Sequence, residues 1–195
     1  TTTSILRQKI ERSLDQQTQL IIFDMNTPGG SAAEMNAITQ LILEDLNDVY
    51  TVAYIHPNAF SAGAIISLAC DEIVLAPHAI IGDAMPIMIG PQGLVEIPEK
   101  ERGKFESAML AEIRTLANRN GYNIALCESM ITITHEIWLI RNNDTRELRT
   151  VNAAEWKGRV KNLPGEKDPS EETPWTYLRT VVGTTKLLTM TAEEA

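Results

Sequence analysis

Basic residues are the scarce charge in this chain. Seventeen lysines and arginines stand against 26 aspartates and glutamates, giving a formal net charge of −9. The basic residues form no run and no stripe, which argues against nucleic acid as a partner. The acidity itself speaks only for solubility. Cysteine is nearly absent: Cys70 and Cys127 are too few and too far apart for a disulfide framework or a metal site. A single bridge between them is compatible with the sequence, although Cys70 lies in an apolar run and reads as a small core residue. No apolar stretch reaches the roughly 18 to 20 residues that span a bilayer, and no signal peptide opens the chain. Internal repeats and low-complexity tracts are missing too. What is present, 195 residues with 44% hydrophobic content, suffices for one domain, 1–195, with a sizeable core.

Two stretches stand out. In VAYIHPNAFSAGAIISLAC, an apolar strand (Val52 to Ile55) enters a short polar loop (His56 to Phe60), and Ser61-Ala62-Gly63-Ala64 opens an apolar helical run, Ile65 to Cys70. A serine at such a junction lies beside first-turn amides that have no intrahelical partner. Those donors and the helix dipole suit an oxyanion. Serine at a helix start also serves as a plain N-cap. In LIIFDMNTPGGS, the continuous apolar run Leu20 to Phe23 reads as a parallel strand buried on both faces. A turn follows in which Gly29-Gly30 permits positive φ or close approach to a ligand. Ser31 to Glu34 is then a capping box. Two such strand-to-helix turns fall side by side at the carboxyl ends of strands in an open α/β sheet, where ligands bind.

The rest of the chain alternates helix and strand. Leu6, Ile10 and Leu14 share a face of a first helix capped by Ser4. Met35, Ile38, Leu41, Ile42 and Leu46 line the inner face of the next helix. Strands follow at Val49 to Ile55 and Glu72 to Leu75. Residues 76–98, rich in glycine, proline and small residues, read as an irregular loop with short strands at Ile80-Ile81 and Met85 to Ile89. As a loop on a rigid scaffold it is the natural substrate groove. The longest helix covers 99–120, with Phe105, Met109, Ile113 and Leu116 as its stripe and Gly121 as its C-cap. A short helix (125–130), a strand (131–140), a hairpin return (147–151) and a polar proline-rich loop (162–175) complete the pattern. The chain opens on a helix where a strand is expected first. It closes on a capping box, Thr191 to Glu194, that announces a further helix. Both features suggest an excerpt of a longer protein, lacking an N-terminal strand and C-terminal regions.

Taken together, Asp24, Thr27 to Ser31, Ala59, Ser61 to Ala64, Asp71, Ile73, Ala76, Pro77, Gly82, Ala84 and Pro86 form the pattern D-x-x-TPGGS, A-x-SAGA, x-D-x-I-x-x-AP, G-x-A-x-P. This resembles the Clp/crotonase-fold serine peptidases, most closely the membrane-associated NfeD branch related to signal peptide peptidase A. The likeness extends well over about residues 1–140. It departs from the pattern at Asn26 and Phe60, the latter a change in the groove wall. The resemblance implies an α/β fold of repeated strand–strand–helix units around a mainly parallel sheet. It also implies a serine endopeptidase acting through an acyl-enzyme, an extracytoplasmic active site on a membrane-associated protein, a stomatin-like substrate partner and a homo-oligomer. Neither a metal nor an organic cofactor is needed. The alternatives are a crotonase-like acyl-CoA enzyme, which needs no Ser61, and a catalytically inactive assembly domain.

A serine nucleophile needs a base. A Clp-type triad would place a histidine some twenty-odd residues beyond Ser61, near Pro86, and none stands there; His56, His78 and His135 fall elsewhere. A Ser-Lys dyad is the other solution, with a lysine kept neutral by burial or a nearby cation. Lys104, on the edge of the apolar stripe, and Lys100, in the charged run Glu99 to Arg102, are the candidates. In the resembling family the lysine precedes a helix with a characteristic ending, and counting back from Arg114 to Ala117 and Gly121 reaches Lys104. The oxyanion hole implied is the amide of Ala62 with that of Gly29 or Gly30. Asp24 reads as structural, accepting turn N–H groups. Phe60, Ile80, Ile81, Met85, Ile87 and Met88 are the expected groove lining for apolar substrate side chains.

Overall fold

The computed structural model describes residues 1–90, 92–95, 97–165 and 173–195. It is an α/β chain. Its first part runs α1 (Thr2–Leu14), β1 (Leu20–Thr27), α2 (Ala32–Asp45), β2 (Tyr50–Phe60), α3 (Ala62–Ala69), β3 (Glu72–Leu75) and β4 (Ile80–Gly82). The α1 cap is Thr1 rather than Ser4: the Thr1 side chain accepts the Ser4 amide, so the helix begins earlier than expected. Ser31 caps α2 as expected, its Oγ accepting the Glu34 amide at 3.2 Å. The Glu34 carboxylate does not complete the box. It accepts from Thr3 N–H and Thr3 Oγ1 at 3.0 and 2.7 Å, fastening α1 to α2. Those bonds hold the Glu34 carboxyl below its ordinary range.

The three expected strands are neighbours. β2 pairs in parallel with β1, with Phe23 opposite Ala53, and with β3, with Ala53 opposite Ile73. Asp71 clasps the start of this ladder, its Oδ2 accepting from both the amide and the hydroxyl of Thr51 at 2.8 Å. The polar segment 56–60 is not a loop, however. β2 continues to Phe60 and changes partner past Pro57: Asn58, Ala59 and Phe60 pair in parallel with Ile80, Ile81 and Gly82 of β4. Proline has no N–H to give a ladder, so a partner change falls naturally there. Nor is β1 buried on both faces. Leu20 is 49% and Ile22 59% exposed, while Phe23 is in the core.

The second part runs β5 (Met88–Gly90), β6 (Gly93–Val95), α4 (Glu99–Asn120), α5 (Ile124–Ser129), β7 (Ile137–Asn142), β8 (Leu148–Asn152), α6 (Ala153–Trp156), β9 (Trp175–Val182) and β10 (Thr189–Thr191). Here every strand-to-strand pairing is antiparallel, β5 with β6, β7 with β8 and β9, and β10 with β4, and one isolated bridge, Lys161 with Thr176 of β9, is parallel. Parallel strand ladders are therefore confined to β1–β4, and the expectation of a mainly parallel sheet describes only that part. The hairpin turn is built on Asn142, whose Oδ1 accepts the amides of Asp144 and Thr145 at 2.9 and 3.1 Å. Its first strand starts at Ile137, not Ile131. Residues 131–136 form turns in which Thr132 Oγ1 bonds Thr134. β9 and β10 were not anticipated, although WTYLRTVV carries the aromatic and β-branched bias of a strand. Part of the proline-rich loop, 166–172, lies outside the described residues. The Thr191–Glu194 box does form, with Thr191 N–H and Oγ1 both 3.0 Å from Glu194 Oε2, but it closes a turn after β10.

The core surrounds α3, every residue of which is buried. Burying Ile65, Ile66 and Leu68 contributes roughly 1.5–3 kcal/mol each. The carbonyls at the end of α3 are satisfied from α4 and the residues after it: Asn120 Nδ2 donates to Leu68 O and Cys70 O at 2.9 Å, and Tyr122 Oη to Cys70 O at 3.1 Å. The α4 stripe holds only in its second half. Ile113, Leu116 and Ala117 are buried, whereas Phe105 is 50% exposed.

Cys70 and Cys127 are both free and buried, so they do not form a bridge. Burial pushes each thiol up from 9.0 to about 12. A protonated thiol does not react as a nucleophile. Neither cysteine is expected to react with Ellman's reagent at pH 8 until the chain is denatured, when both do; rapid titration of the native chain would contradict this packing. The linkage has a definite sign. The unfolded thiols lose protons that the folded ones keep, so this contribution to stability is complete below about pH 9 and is lost as pH rises toward 12.

Candidate active site

Ser61 stands between β2 and α3 with φ 52° and ψ −121°, a conformation that side-chain-bearing residues rarely adopt. Its amide is held by two acceptors, Gly82 O at 3.2 Å and Asp83 O at 3.1 Å. Its carbonyl accepts the amides of Ala64 and Ile65 at 3.0 and 3.4 Å. Its hydroxyl makes no capping bond, unlike those of Ser31 and Thr1. The backbone is thus pinned into a sharp strand-to-helix turn while Oγ is left free, the arrangement of a nucleophile elbow. Within the described residues, the amides of Ala62 and Gly63 donate to no backbone carbonyl. Gly63 is tightly seated, since a Cβ there would lie 2.4 Å from Thr27 Cγ2.

The turn after β1 arrives directly against this serine. A Cβ on Gly29, whose φ is 119°, would lie 2.6 Å from Ser61 Cβ and 3.1 Å from Oγ. Only glycine permits that approach. The two glycines are not equivalent. Gly29 N–H is committed to Thr27 Oγ1 at 3.1 Å, whereas the Gly30 amide has no acceptor among the described residues. Thr27, not Asp24, is the acceptor that shapes this turn; Asp24 is exposed on β1.

Pro28, Gly30, Phe60, Ser61, Met85, Ile87 and Met88 line one groove of about 880 Å³. Ile80 and Ile81 do not belong to it. β4 lies in the sheet between β2 and β10, and Ile81, 2% exposed, is part of the core. Residues of such a short strand alternate faces and cannot all point into a cleft. A second cavity of about 520 Å³ meets the groove at Gly30 and Ser31 and runs along β1 and α2. Asp83 also lines the groove and was missed from sequence. Its mark is structural, the left-handed backbone at Asp83, φ 48°, just after the glycine that ends β4.

Lys104 is exposed on α4 and is not among the groove residues, so the desolvating surface expected from the apolar stripe does not cover it in the isolated chain. The backbone of Lys100 lies in the first turn of α4, and its side chain is outside the described part. His56 and His78 are exposed, and His135 is 3.5 Å from the carboxylate of Glu128; none of the three lines the groove.

The model of the family described as "NfeD1b, N-terminal domain" matches residues 2–161. Among curated proteins, the chain is 34% identical over 119 residues to the membrane-bound protease PH1510 of Pyrococcus horikoshii, covering 58% of this chain and 26% of that protein. It is 32% identical over 117 residues to the membrane protein NfeD1b of Bacillus subtilis, covering 60% of this chain and 25% of that one. The chain therefore spans about a quarter of the length of these relatives. Among solved structures, it superposes on a serine-to-alanine mutant of the 1510-N membrane-bound stomatin-specific protease with a TM-score of 0.59 and 29% identity, over 67% of this chain and 63% of the other. A lysine-to-alanine mutant of that protease in complex with a substrate peptide gives a TM-score of 0.61 at 26% identity, over 80% of this chain and 64% of the other.

The contact between Gly29 and Ser61 is testable without assuming a substrate. A Cβ cannot be accommodated at Gly29 without moving Ser61, whereas one at Gly30 meets nothing within 4 Å. Gly29→Ala is expected to lower the rate of Ser61 labelling by a fluorophosphonate by about tenfold or more, consistent with about 1–3 kcal/mol of local strain. Gly30→Ala should lower it far less. Equal labelling of both variants would show that the turn does not abut the serine as described.

Proposed function

The chain belongs to the NfeD1b N-terminal domain family, and we propose that it is a serine endopeptidase that cleaves apolar segments of a membrane-associated protein through an acyl-enzyme. The observation that carries this reading is the Ser61 turn: a strained, pinned backbone, a hydroxyl without a capping bond, and uncommitted amides on two sides. We assign the architecture of β1–β4 and α1–α3 to the Clp/crotonase type, supported by the parallel pairings and by the likeness to the protease structures.

In this reading Ser61 Oγ attacks a peptide carbonyl carbon, and Lys104 takes the hydroxyl proton. The carbonyl oxygen becomes an oxyanion between the amides of Ala62 and Gly30. Gly30 is preferred over Gly29, whose amide is already bonded to Thr27. Each such donor is typically worth about 10²- to 10³-fold in turnover. Collapse of the intermediate returns the proton from Lys104 to the leaving amine and leaves an acyl group on Ser61. Water, deprotonated by the same lysine, then releases it. Phe60, Met85, Ile87 and Met88 would receive apolar substrate side chains, and Ile87, 64% exposed, has most to gain from being covered.

Only an amine free of its proton can act as a base, and Lys104 is exposed in the isolated chain, so this reading requires the first half of α4 to be covered when the enzyme acts. We place that covering in a homo-oligomer with substrate bound, and the half-exposed Phe105 beside Lys104 supports it. No helix among the described residues is long and apolar enough to cross a membrane. Membrane association and an extracytoplasmic site are accordingly assigned to the whole protein, and a stomatin-like protein is the proposed substrate, by analogy with the relatives. The chemistry as drawn needs neither a metal nor an organic cofactor.

Ser61→Ala is expected to abolish peptide cleavage with the fold intact, because one uncommitted hydroxyl contributes little to stability. Lys104→Ala should lower turnover by about 10²- to 10⁴-fold, and Lys100→Ala far less. Chelators should not affect turnover. Near-normal turnover in Lys104→Ala with loss in Lys100→Ala would move the base to Lys100, and wild-type activity abolished by a chelator would sink the dyad.

A further inference from the structure

Among the described residues of the groove, one carries a charge. Asp83 is set among Phe60, Met85, Ile87 and Met88, with Ser61 in the same wall. Its backbone is tied at both ends, the N–H donating to Leu188 O at 3.0 Å and the carbonyl accepting from Ser61 N–H at 3.1 Å. Its φ of 48° lies in the left-handed region, which aspartate and asparagine tolerate better than most residues. Asp83 is exposed and enters none of the ion pairs of the described residues.

A carboxylate here works against the chemistry assigned to the site. Its field opposes a developing oxyanion at Ser61. The apolar walls strengthen that field once a peptide excludes water. A cation on the bound peptide would cancel that effect and pair with the carboxylate. Apolar segments flanked by lysine or arginine are what membrane-embedded stretches present at the bilayer surface.

We propose that Asp83 is a specificity-determining residue, selecting peptides that carry a lysine or arginine beside an otherwise apolar cleavage segment. The proposal rests on the peptidase reading above and adds a charge requirement to it. Catalysis would then depend on the substrate, because the groove reaches its favourable electrostatic state only when the correct cation occupies it.

The test uses matched fluorogenic apolar peptides that differ at one position, lysine, norleucine or glutamate, scanned along the sites flanking the scissile bond. At low salt, kcat/KM for the best lysine peptide should exceed that of its norleucine twin by about two- to fivefold, with the glutamate peptide below both. The ratio should shrink as salt is raised. Asp83→Asn keeps a side chain suited to the left-handed backbone, and there the lysine-to-norleucine ratio should fall to about one; Asp83→Lys should favour glutamate. A wild-type ratio of one, or a ratio retained in Asp83→Asn, overturns the proposal. So does equal acceleration of every peptide in Asp83→Asn, which would mean that the carboxylate acts on Lys104 and not on substrate. Binding of the same peptides to Ser61→Ala by fluorescence anisotropy separates the two claims. Discrimination in binding without wild-type cleavage would overturn the peptidase reading alone, and cleavage without discrimination would overturn the role of Asp83 alone.

Discussion

The amide hydrogen of Ser61 is shared between the carbonyls of Gly82 and Asp83, and the local architecture follows from that bond. It fixes the end of β2 to the end of β4 at the point where the chain must turn into α3. With the amide held on one side and the first turn of α3 bonded back to the serine carbonyl, the backbone has no relaxed conformation available. φ settles at 52° and the hydroxyl is left outside the helix it would otherwise cap. The same turn brings Ser61 so close to the β1–α2 connection that glycine is required at position 29.

The support for this bond comes from a distant part of the chain. Gly82 has φ 136°, and a Cβ there would lie 2.3 Å from Leu188 O. Leu188 O also accepts the Asp83 amide, and β10 completes the edge of β4. Leu188 N–H is in turn held by Ser129 O, and Met130 O by the Ala84 amide. The wall behind the groove is therefore braced by residues 129–130 and 188–191. The latter lie beyond the 2–161 stretch that matches the family model.

α4 divides into two halves with different environments. Its second half is anchored by Ile113 and Leu116 in the core, by Arg114 paired to the buried Glu128, and by Asn120 and Tyr122 at the end of α3. Its first half, with Lys104 and Phe105, faces solvent. A helix built this way holds its far end in place without providing the dry surroundings that a neutral lysine requires. Ser61 and its flanking amides are set by the fold of this chain, whereas in the proposed dyad the state of Lys104 depends on what covers α4.

The sequence by itself determined the local features: the small residues of the two turns, the apolar strands before them, the N-cap at Ser31 and the buried stripes of α2 and the second half of α4. Each follows from backbone sterics or from a periodicity that neighbouring residues impose on one another. The tertiary structure decided what depended on residues far apart. Gly29 is required beside Ser61 because β1 and β2 pair and bring the two turns into contact. Ile81 left the groove because β10 and β2 enclose its strand. Leu20 and Ile22 are exposed although they read as buried, since an apolar run shows that a face can be covered, not that another element covers it. Asp83 entered the site because Leu188, more than a hundred residues downstream, holds its amide. Such pairings have no periodicity in the sequence, so only the folded chain makes them visible.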